Sequence, residues 1–203
     1  DLITKVKNLK VGFQKLESNS YGPLVSDDHL NNVQNYIKLA KDEGGEIILD
    51  GREINDRRNS DKKGYFLGPT VIDSVKPNMK SYLNEIFGPV LQIIEIDNIE
   101  EGIQIINQNS FGNGCCIFTE NGNYAREFSE KVDIGMVGVN IPLPVPSSFH
   151  SFGGWKNSLF GDLNIYGPDG LRFYTRRKTI TQRWFGSNDL SEINLSMPSN
   201  QKN

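Results

Sequence analysis

The chain has 203 residues, which is enough for one domain or for one and a half. Its 22 Lys and Arg and 25 Asp and Glu residues give a net charge of −3, so the charge balance does not favour nucleic acid or an anionic membrane as a partner. Apolar residues make up 36% of the chain and no stretch approaches the ~20 apolar residues of a membrane span. This composition is typical of a soluble globular protein.

The first ten residues have helical spacing, because Leu2, Ile3, Val6 and Leu9 recur at intervals that place them on one helix face. They contain neither the apolar core of a signal peptide nor the composition of a transit peptide. The chain does not begin with Met. We therefore expect a fragment whose N-terminal part, and whose targeting signal with it, is not included.

A second helix is predicted from Ser26, a good N-cap, which Asp27 and Asp28 follow in the first turn, where the helix dipole favours anions. It is expected to end near Gly44-Gly45. A short strand then follows over residues 46–49. The apolar positions of the predicted helix are Val33, Tyr36, Ile37 and Ala40.

A charged insert over residues 52–64 separates that strand from an extended element over residues 65–75. Arg57 and Arg58 in the insert could bind a phosphate group, or the insert could be a solvated loop, which is the usual meaning of such charge clusters. We favour the solvated loop. The core of the extended element is predicted to be Thr70, Val71 and Ile72.

Residues 84–90, Asn-Glu-Ile-Phe-Gly-Pro-Val, contain the most suggestive pattern in the chain. Glu85 and Phe87 are two positions apart, so in an extended segment their side chains face the same side. A carboxylate can accept hydrogen bonds from a pair of ribose hydroxyls, and an aromatic ring can cover a flat heterocycle. Gly88-Pro89 then ends the segment before an apolar run, which predicts a loop feeding a buried strand. The alternative is that Glu85 is merely exposed and Phe87 belongs to the core.

Residues 91–140 alternate between strand and helix patterns, which predicts a parallel sheet with right-handed crossovers. Strands are expected over residues 91–96, 115–119 and 135–140, with a capping box formed by Asp97 and Glu100 before the first intervening helix. Turns are expected at residues 111–114 and at Asn121-Gly122. The residues predicted to face the core are Ile99, Ile103 and Ile106 in the first helix, and Tyr124, Phe128 and Val132 in the second.

Residues 141–169 are rich in proline and aromatic residues, which predicts an ordered but irregular loop. Residues 173–181 have the pattern of a strand. A long strand after the domain has closed is either an exposed edge or an arm that pairs with another chain, and we favour the arm. The tail from residue 186 to residue 203 is rich in Ser and Asn and is expected to be frayed.

The other candidates for chemistry are weak. Cys115 and Cys116 lie in a predicted buried strand and would point to opposite faces, so they suit neither a shared metal nor a disulfide, and they argue for a reducing compartment. Buried apolar thiols are expected, although pairing in space with His29 or His150 would allow a nucleophile. The sequence contains no phosphate-binding glycine motif and no metal-ligand spacing.

Several blocks together resemble the aldehyde dehydrogenase superfamily, and within it the acylating, coenzyme A-dependent methylmalonate-semialdehyde dehydrogenase branch. The resemblance covers residues 1 to about 184. The blocks that carry it are Gly22-Pro23-Leu24, Gly64 to Thr70, Glu85 to Val90, Phe111 to Gly114, Tyr174-Thr175 with Lys178 to Ile180, and, for the branch, Val132 to Pro146 and Asp162 to Gly167.

The resemblance implies an α/β fold: a three-layer catalytic domain with a mostly parallel sheet, incomplete at its N-terminal side, plus a C-terminal oligomerisation strand. The implied organisation is a catalytic-domain portion over residues 1–169, an oligomerisation strand over 170–184 and a flexible tail over 185–203. A homodimer or homotetramer is implied for the full-length protein, in the mitochondrial matrix or the cytoplasm.

The resemblance also implies the reaction. A Cys thiolate attacks the semialdehyde, hydride passes to NAD, a thioester remains, and after decarboxylation the acyl group goes to coenzyme A. Glu85 matches the residue that holds the nicotinamide ribose hydroxyls, and Phe87 matches the ring near the nicotinamide. Cys115 and Cys116 do not match the nucleophile, so no catalytic residue is assigned and the chain alone is expected to be inactive. His150 lies either in the substrate pocket or in a surface loop.

Two other hypotheses remain open. The chain could be a non-catalytic oligomerisation module or a truncated pseudoenzyme that binds intact subunits, or it could be a thiol-dependent enzyme that uses Cys115 or Cys116. The exposure of the thiols would separate the last hypothesis from the others, since a catalytic thiol must be accessible and ionised.

Overall fold

Helices and short strands alternate through residues 1–13, 19–54, 64–182 and 184, which are the residues that this computed structural model describes. Among these residues, no helix is both long and apolar enough to cross a bilayer. The elements in chain order are α1 Leu2–Lys7, α2 Asp27–Asp42, β1 Glu46–Leu49, a 3₁₀ helix Gly51–Ile54, β2 Thr70–Asp73, α3 Lys80–Leu83, β3 Val90–Gln92, α4 Ile99–Gln108, β4 Phe111–Gly112, β5 Gly114–Ile117, α5 Gly122–Lys131, β6 Met136–Val139, β7 Trp155–Lys156 and α6 Gly167–Tyr174.

The first half of the chain is built around a three-stranded sheet with the order β1-β2-β3. β1 and β2 are antiparallel, and β2 and β3 are parallel, with Thr70 opposite Val90. Helix α2 begins as predicted, since the Ser26 hydroxyl accepts the backbone N–H of His29. Its buried face packs Val33 and Ile37 together with Leu67 in one core cluster. Val90 packs against the same cluster, so the start of β3 lies beside α2.

The second half is built around β5 and β6, which are parallel as predicted, with Cys115 opposite Val137. Helices α4 and α5 bury their apolar residues against these strands. The core cluster consists of Ile103, Phe128, Val132 and Ile134. Ile99 and Ile106 also face this cluster, but Tyr124 is 48% exposed, so the prediction that it faces the core was wrong.

The predicted single parallel sheet over residues 91–140 does not form among the described residues. β3 pairs with β2, β5 pairs with β6, and β4 pairs with β7 in a separate antiparallel pair. The regular pairing of β3 ends at Gln92, although Ile93 still exchanges backbone hydrogen bonds with Ile72 and Val75. Among the described residues no strand pairs with both β3 and β5, so the alternating pattern gives separate sheets instead of one.

Three local predictions are corrected by hydrogen bonds. The cap of α4 is Asn98, whose side chain accepts the N–H of Glu101, while the Glu101 carboxylate accepts the N–H of Asp97; the capping pattern therefore lies one residue later than the predicted Asp97–Glu100 pair. Asn121 is the N-cap of α5 and not only a turn residue. Residues 111–114 were predicted as a turn, but Phe111–Gly112 pairs with β7.

The C-terminal strand predicted from residue 173 is wrong at its start, since Phe173 and Tyr174 finish helix α6. Pro168 lies in the first turn of that helix, where its missing N–H costs nothing and its fixed φ favours helix. Residues 175–182 follow as exposed chain that pairs with no described strand. A strand needs partner backbone, and local pattern cannot supply it. Arg57, Arg58 and the tail over 185–203 lie outside the described residues.

Candidate functional site

Residues 84–90 form an irregular loop between α3 and β3. Burial alternates along it: Glu85 is exposed, Ile86 packs on the α2 core cluster, and Phe87 is 78% exposed. The alternative that Phe87 is a core residue is therefore wrong. Ile86 anchors the loop, while its two neighbours, Glu85 and Phe87, are exposed.

The backbone of Phe87 is in the left-handed region, with φ of 55°. This conformation costs an L-residue with a side chain about 1–2 kcal/mol, and a bulky aromatic residue is rare there. Because the ring is exposed, its own packing offsets little of this cost. Strain of this kind persists only where neighbouring structure imposes it, and it concentrates at ligand sites.

Two contacts from α2 hold the loop at this point. His29 Nε2 lies 2.8 Å from the carbonyl oxygen of Phe87, and the two rings are 6.2 Å apart. One turn later on the helix, Val33 lies so close to Gly88 that a Cβ built on Gly88 would be 2.7 Å from Val33 Cγ1. The sequence suggested His29 only as a possible partner of a cysteine nucleophile. No local signal could have linked it to a residue 58 positions away.

Helix α3, which precedes the loop, is anchored by Glu43. The Glu43 carboxylate accepts hydrogen bonds from the N–H groups of Lys80 and Ser81 and from the Ser81 hydroxyl. Burial opposes ionisation, but these hydrogen bonds and the Lys80 charge together hold the pKa of Glu43 below its ordinary value. The anchor is therefore present above the ordinary pKa of a glutamate and is lost only as pH falls through the lowered value.

The Glu85 carboxylate makes no hydrogen bond or ion pair to another residue in the described part of the chain. An exposed, unpaired carboxylate retains its full capacity to accept hydrogen bonds, and two adjacent hydroxyls are suitable donors. The neighbouring Phe87 ring offers an open aromatic face. These two side chains offer an acceptor for a pair of hydroxyls and a surface for a flat ring.

The loop separates two surface grooves. One of about 470 Å³ lies between α2 and α3, and most of the residues that line it are polar, Asn84 among them. The other, of about 370 Å³, is bounded by α1 and the start of β3, and Gly88 and Pro89 contribute to its wall. Glu85 and Phe87 lie in the sequence between the residues that line the two grooves.

The thiols are poor candidates for catalysis. Cys115 packs against the cluster of α4 and α5, and burial, with a smaller effect of Cys116, raises the pKa of the Cys115 thiol. Both cysteines are free and partly buried. A raised pKa reduces the thiolate fraction at neutral pH, and the thiolate is the reactive form.

We therefore expect iodoacetamide at pH 7 to alkylate Cys115 at least about tenfold more slowly in the native chain than in the urea-unfolded chain. The measurement is mass spectrometry of the Cys116→Ser variant, in which only Cys115 can react. The rate should rise with pH toward the raised pKa. Equal rates in the two states would contradict the assignment of Cys115 as an inert thiol.

His150 lies in the loop after β6, is exposed, and has the Phe149 ring 4.4 Å away. Nothing in the described residues brings it to Glu85 or to the thiols, so the structure leaves its role as a surface or pocket residue as a prediction. Among the described residues, no group of three His, Cys, Asp or Glu side chains could hold a metal ion.

Comparison with known proteins gives a consistent result. The profile described as the aldehyde dehydrogenase family matches residues 1–180. A malonate-semialdehyde dehydrogenase of Pseudomonas aeruginosa is 49% identical over 185 residues, which are 90% of this chain and 36% of that protein. One of Bacillus cereus is 44% identical over 184 residues, covering 91% of this chain and 37% of the relative. The chain thus spans little more than a third of the length of these relatives.

Solved structures agree in fold. Methylmalonate-semialdehyde dehydrogenase from Oceanimonas doudoroffii has a TM-score of 0.86 at 48% identity and covers 91% of this chain and 37% of its own. A Sinorhizobium meliloti protein with a provisional methylmalonate-semialdehyde dehydrogenase assignment, solved in complex with NAD, has a TM-score of 0.87 at 40% identity, covering 92% of this chain and 38% of its own. The α/β fold with its parallel strand pairs is the aldehyde dehydrogenase fold, and this chain belongs to the aldehyde dehydrogenase family.

Proposed function

We propose that this chain is the C-terminal part of an NAD- and coenzyme A-dependent methylmalonate- or malonate-semialdehyde dehydrogenase. The observation that carries the proposal is the Glu85–Phe87 loop, where a carboxylate without a partner among the described residues and a ring on a strained backbone are both exposed. The semialdehyde dehydrogenase relatives support the substrate class. A relative solved with NAD supports the cofactor.

Bound NAD supplies the acceptor for hydride in such a reaction. In this chain, Glu85 would accept hydrogen bonds from the nicotinamide ribose hydroxyls, and Phe87 would cover the nicotinamide ring. Both groups bind and orient, and neither moves a proton or forms a covalent bond. The loop therefore makes up one side of a cofactor site, and the rest of the site would lie in the remainder of a longer protein.

The nucleophile is proposed to lie in that remainder too. Cys115 is a poor thiolate, and the sequence assigns no catalytic residue within the chain. The chain by itself would then lack the group that attacks the aldehyde and would transfer no acyl group to coenzyme A. Oxidation and decarboxylation are properties of the longer protein under this proposal.

The proposal is tested by following NADH absorbance with methylmalonate semialdehyde, malonate semialdehyde, NAD and coenzyme A. We expect no turnover from the 203-residue chain, and turnover with acyl-coenzyme A formation from the longer protein that carries it. NADH production by the isolated chain would contradict the missing nucleophile. A longer protein that oxidises neither semialdehyde would contradict the substrate class.

We further propose that residues 175–184 form the arm that pairs with another subunit in a homodimer or homotetramer, and that the tail begins at residue 185. The start of the predicted 170–184 segment belongs to helix α6, so the proposed arm is shorter than that segment. The arm and the end of α6 expose large apolar side chains, which mark interaction surfaces. These are Leu171, Phe173, Tyr174, Ile180 and Trp184.

The exposed arm also favours the second candidate, a non-catalytic module that binds intact subunits. The two candidates differ in the natural protein: a species of 203 residues in the cell favours the module, and a species about three times longer favours the enzyme. The compartment, mitochondrial matrix or cytoplasm, stays a prediction.

A further inference from the structure

We propose that His29 is a positioning residue for the cofactor loop: it holds Phe87 in the left-handed conformation that presents the ring to the nicotinamide. This inference rests on the proposed NAD-binding role of the loop. It assigns to α2, a helix outside the Glu85–Phe87 motif, the task of fixing the motif's geometry. His29 is not proposed to react with the substrate.

The first step is the direct contact. His29 Nε2 lies 2.8 Å from the carbonyl oxygen of Phe87. A carbonyl oxygen can only accept, so Nε2 carries the hydrogen and donates it. The imidazole is partly buried beside the loop, and its ring lies 6.2 Å from the Phe87 ring at an angle of 60°. The hydrogen bond thus fixes the plane of the peptide that joins Phe87 to Gly88.

The second step is the way α2 presents His29. The backbone N–H of His29 is bound by the Ser26 hydroxyl at the N-cap, so the residue is fixed in the first helical turn. Val33, four positions on and on the same helix face, is fully buried and packs on Gly88. The helix therefore holds two consecutive points of the loop, the carbonyl of Phe87 and the α-carbon of Gly88.

The third step is the conformational cost at Phe87. Its φ of 55° is unfavourable for a phenylalanine, and its ring is too exposed for packing to offset that cost. The donated hydrogen bond at the adjacent carbonyl is the described polar contact that favours this peptide orientation. Without it, Phe87 can return to the β region, and the rotation about φ then moves the ring out of the position that it holds in this structure.

The test compares variants of the protein that carries this chain. His29→Leu removes the donor while keeping bulk, His29→Asn keeps polarity but is too short to reach, and His29→Gln keeps a donor at the right length. Asn31→Leu, a change at another exposed position of α2, is the matched control. Amide hydrogen exchange of the peptide spanning residues 84–90 reports the loop, and NAD titration reports the site.

We expect His29→Leu and His29→Asn to speed exchange in the loop and weaken NAD binding, each by about tenfold, while His29→Gln and Asn31→Leu stay within about twofold of the parent. If His29→Leu fails to fold, the same two measurements on His29→Asn test the proposal. If hydrogen exchange in the loop were unchanged in both His29→Leu and His29→Asn, the positioning role of His29 would be overturned, but the NAD-binding role of the loop would not. Faster exchange with unchanged NAD affinity would overturn the NAD role of the loop, and the positioning role with it.

Discussion

Lys156→Met is expected to lower the free energy of unfolding by about 3 kcal/mol. The Lys156 ammonium donates to the carbonyl oxygens of Ile106, Asn107 and Asn109, at the end of helix α4, at 3.3, 3.0 and 3.1 Å. Its side chain is only 17% exposed. Hydrogen bonds with a charged partner contribute more than neutral ones, and the negative end of the helix dipole adds to them.

Methionine is the most specific replacement, because it keeps most of the aliphatic stem of the side chain and removes the ammonium group. The carbonyls of Asn107 and Asn109 then lose their charged donor in a largely buried place. The loss of the 3.7 Å contact with Asp133 matters little, since that side chain is 57% exposed. The measurement is urea unfolding, in which the midpoint should fall with little change in slope.

The matched control is Lys131→Met, which removes a lysine that pairs with Glu127 on the surface of α5. That pair is an exposed contact four residues apart, so its loss should change the stability little. If the two variants lost equal stability, the role of Lys156 at the end of α4 would be refuted. A difference of about 2 kcal/mol or more supports it.

Lys156 also shows what sequence patterns could not supply. It lies in a strand of two residues that pairs with Phe111–Gly112, more than 40 positions earlier, and neither segment is long enough to show a period of two. The turn predicted at residues 111–114 was wrong for this reason. Helix α2 was predictable because Ser26 and the acids after it are local signals that need no distant partner.

The candidate site divides in the same way. The spacing of Glu85 and Phe87 only suggested a site, and their assignment to the cofactor came from the resemblance to the aldehyde dehydrogenase family. The left-handed backbone of Phe87 and its bond to His29 were not predictable, since they depend on how α2 packs against a loop far along the chain. The local sequence could therefore point to the pair of exposed side chains, Glu85 and Phe87. What it missed was the support beneath it.

Glu85→Ala is expected to weaken NAD binding by about 30- to 100-fold in the longer protein that carries this chain, which corresponds to about 2–3 kcal/mol. The proposed site gives the ribose hydroxyls a carboxylate acceptor that has no competing partner in the described part of the chain. Removing it leaves those hydroxyls with water at best, and two charge-assisted hydrogen bonds are lost together. NAD titration by calorimetry measures the effect.

Glu95→Ala is the control, because it removes another exposed carboxylate ten positions later, beyond β3, and should leave the affinity for NAD within about twofold. Glu85→Gln retains one acceptor without the charge, so its affinity for NAD should lie between those of the parent and Glu85→Ala, about tenfold weaker than the parent. Thermal stability should not change in the Glu85 variants, since the carboxylate supports no described contact. An unchanged NAD affinity in Glu85→Ala would refute the ribose role of Glu85. A loss of affinity with stability intact, and with no loss in Glu95→Ala, supports that role, because neither misfolding nor the change in net charge then accounts for it.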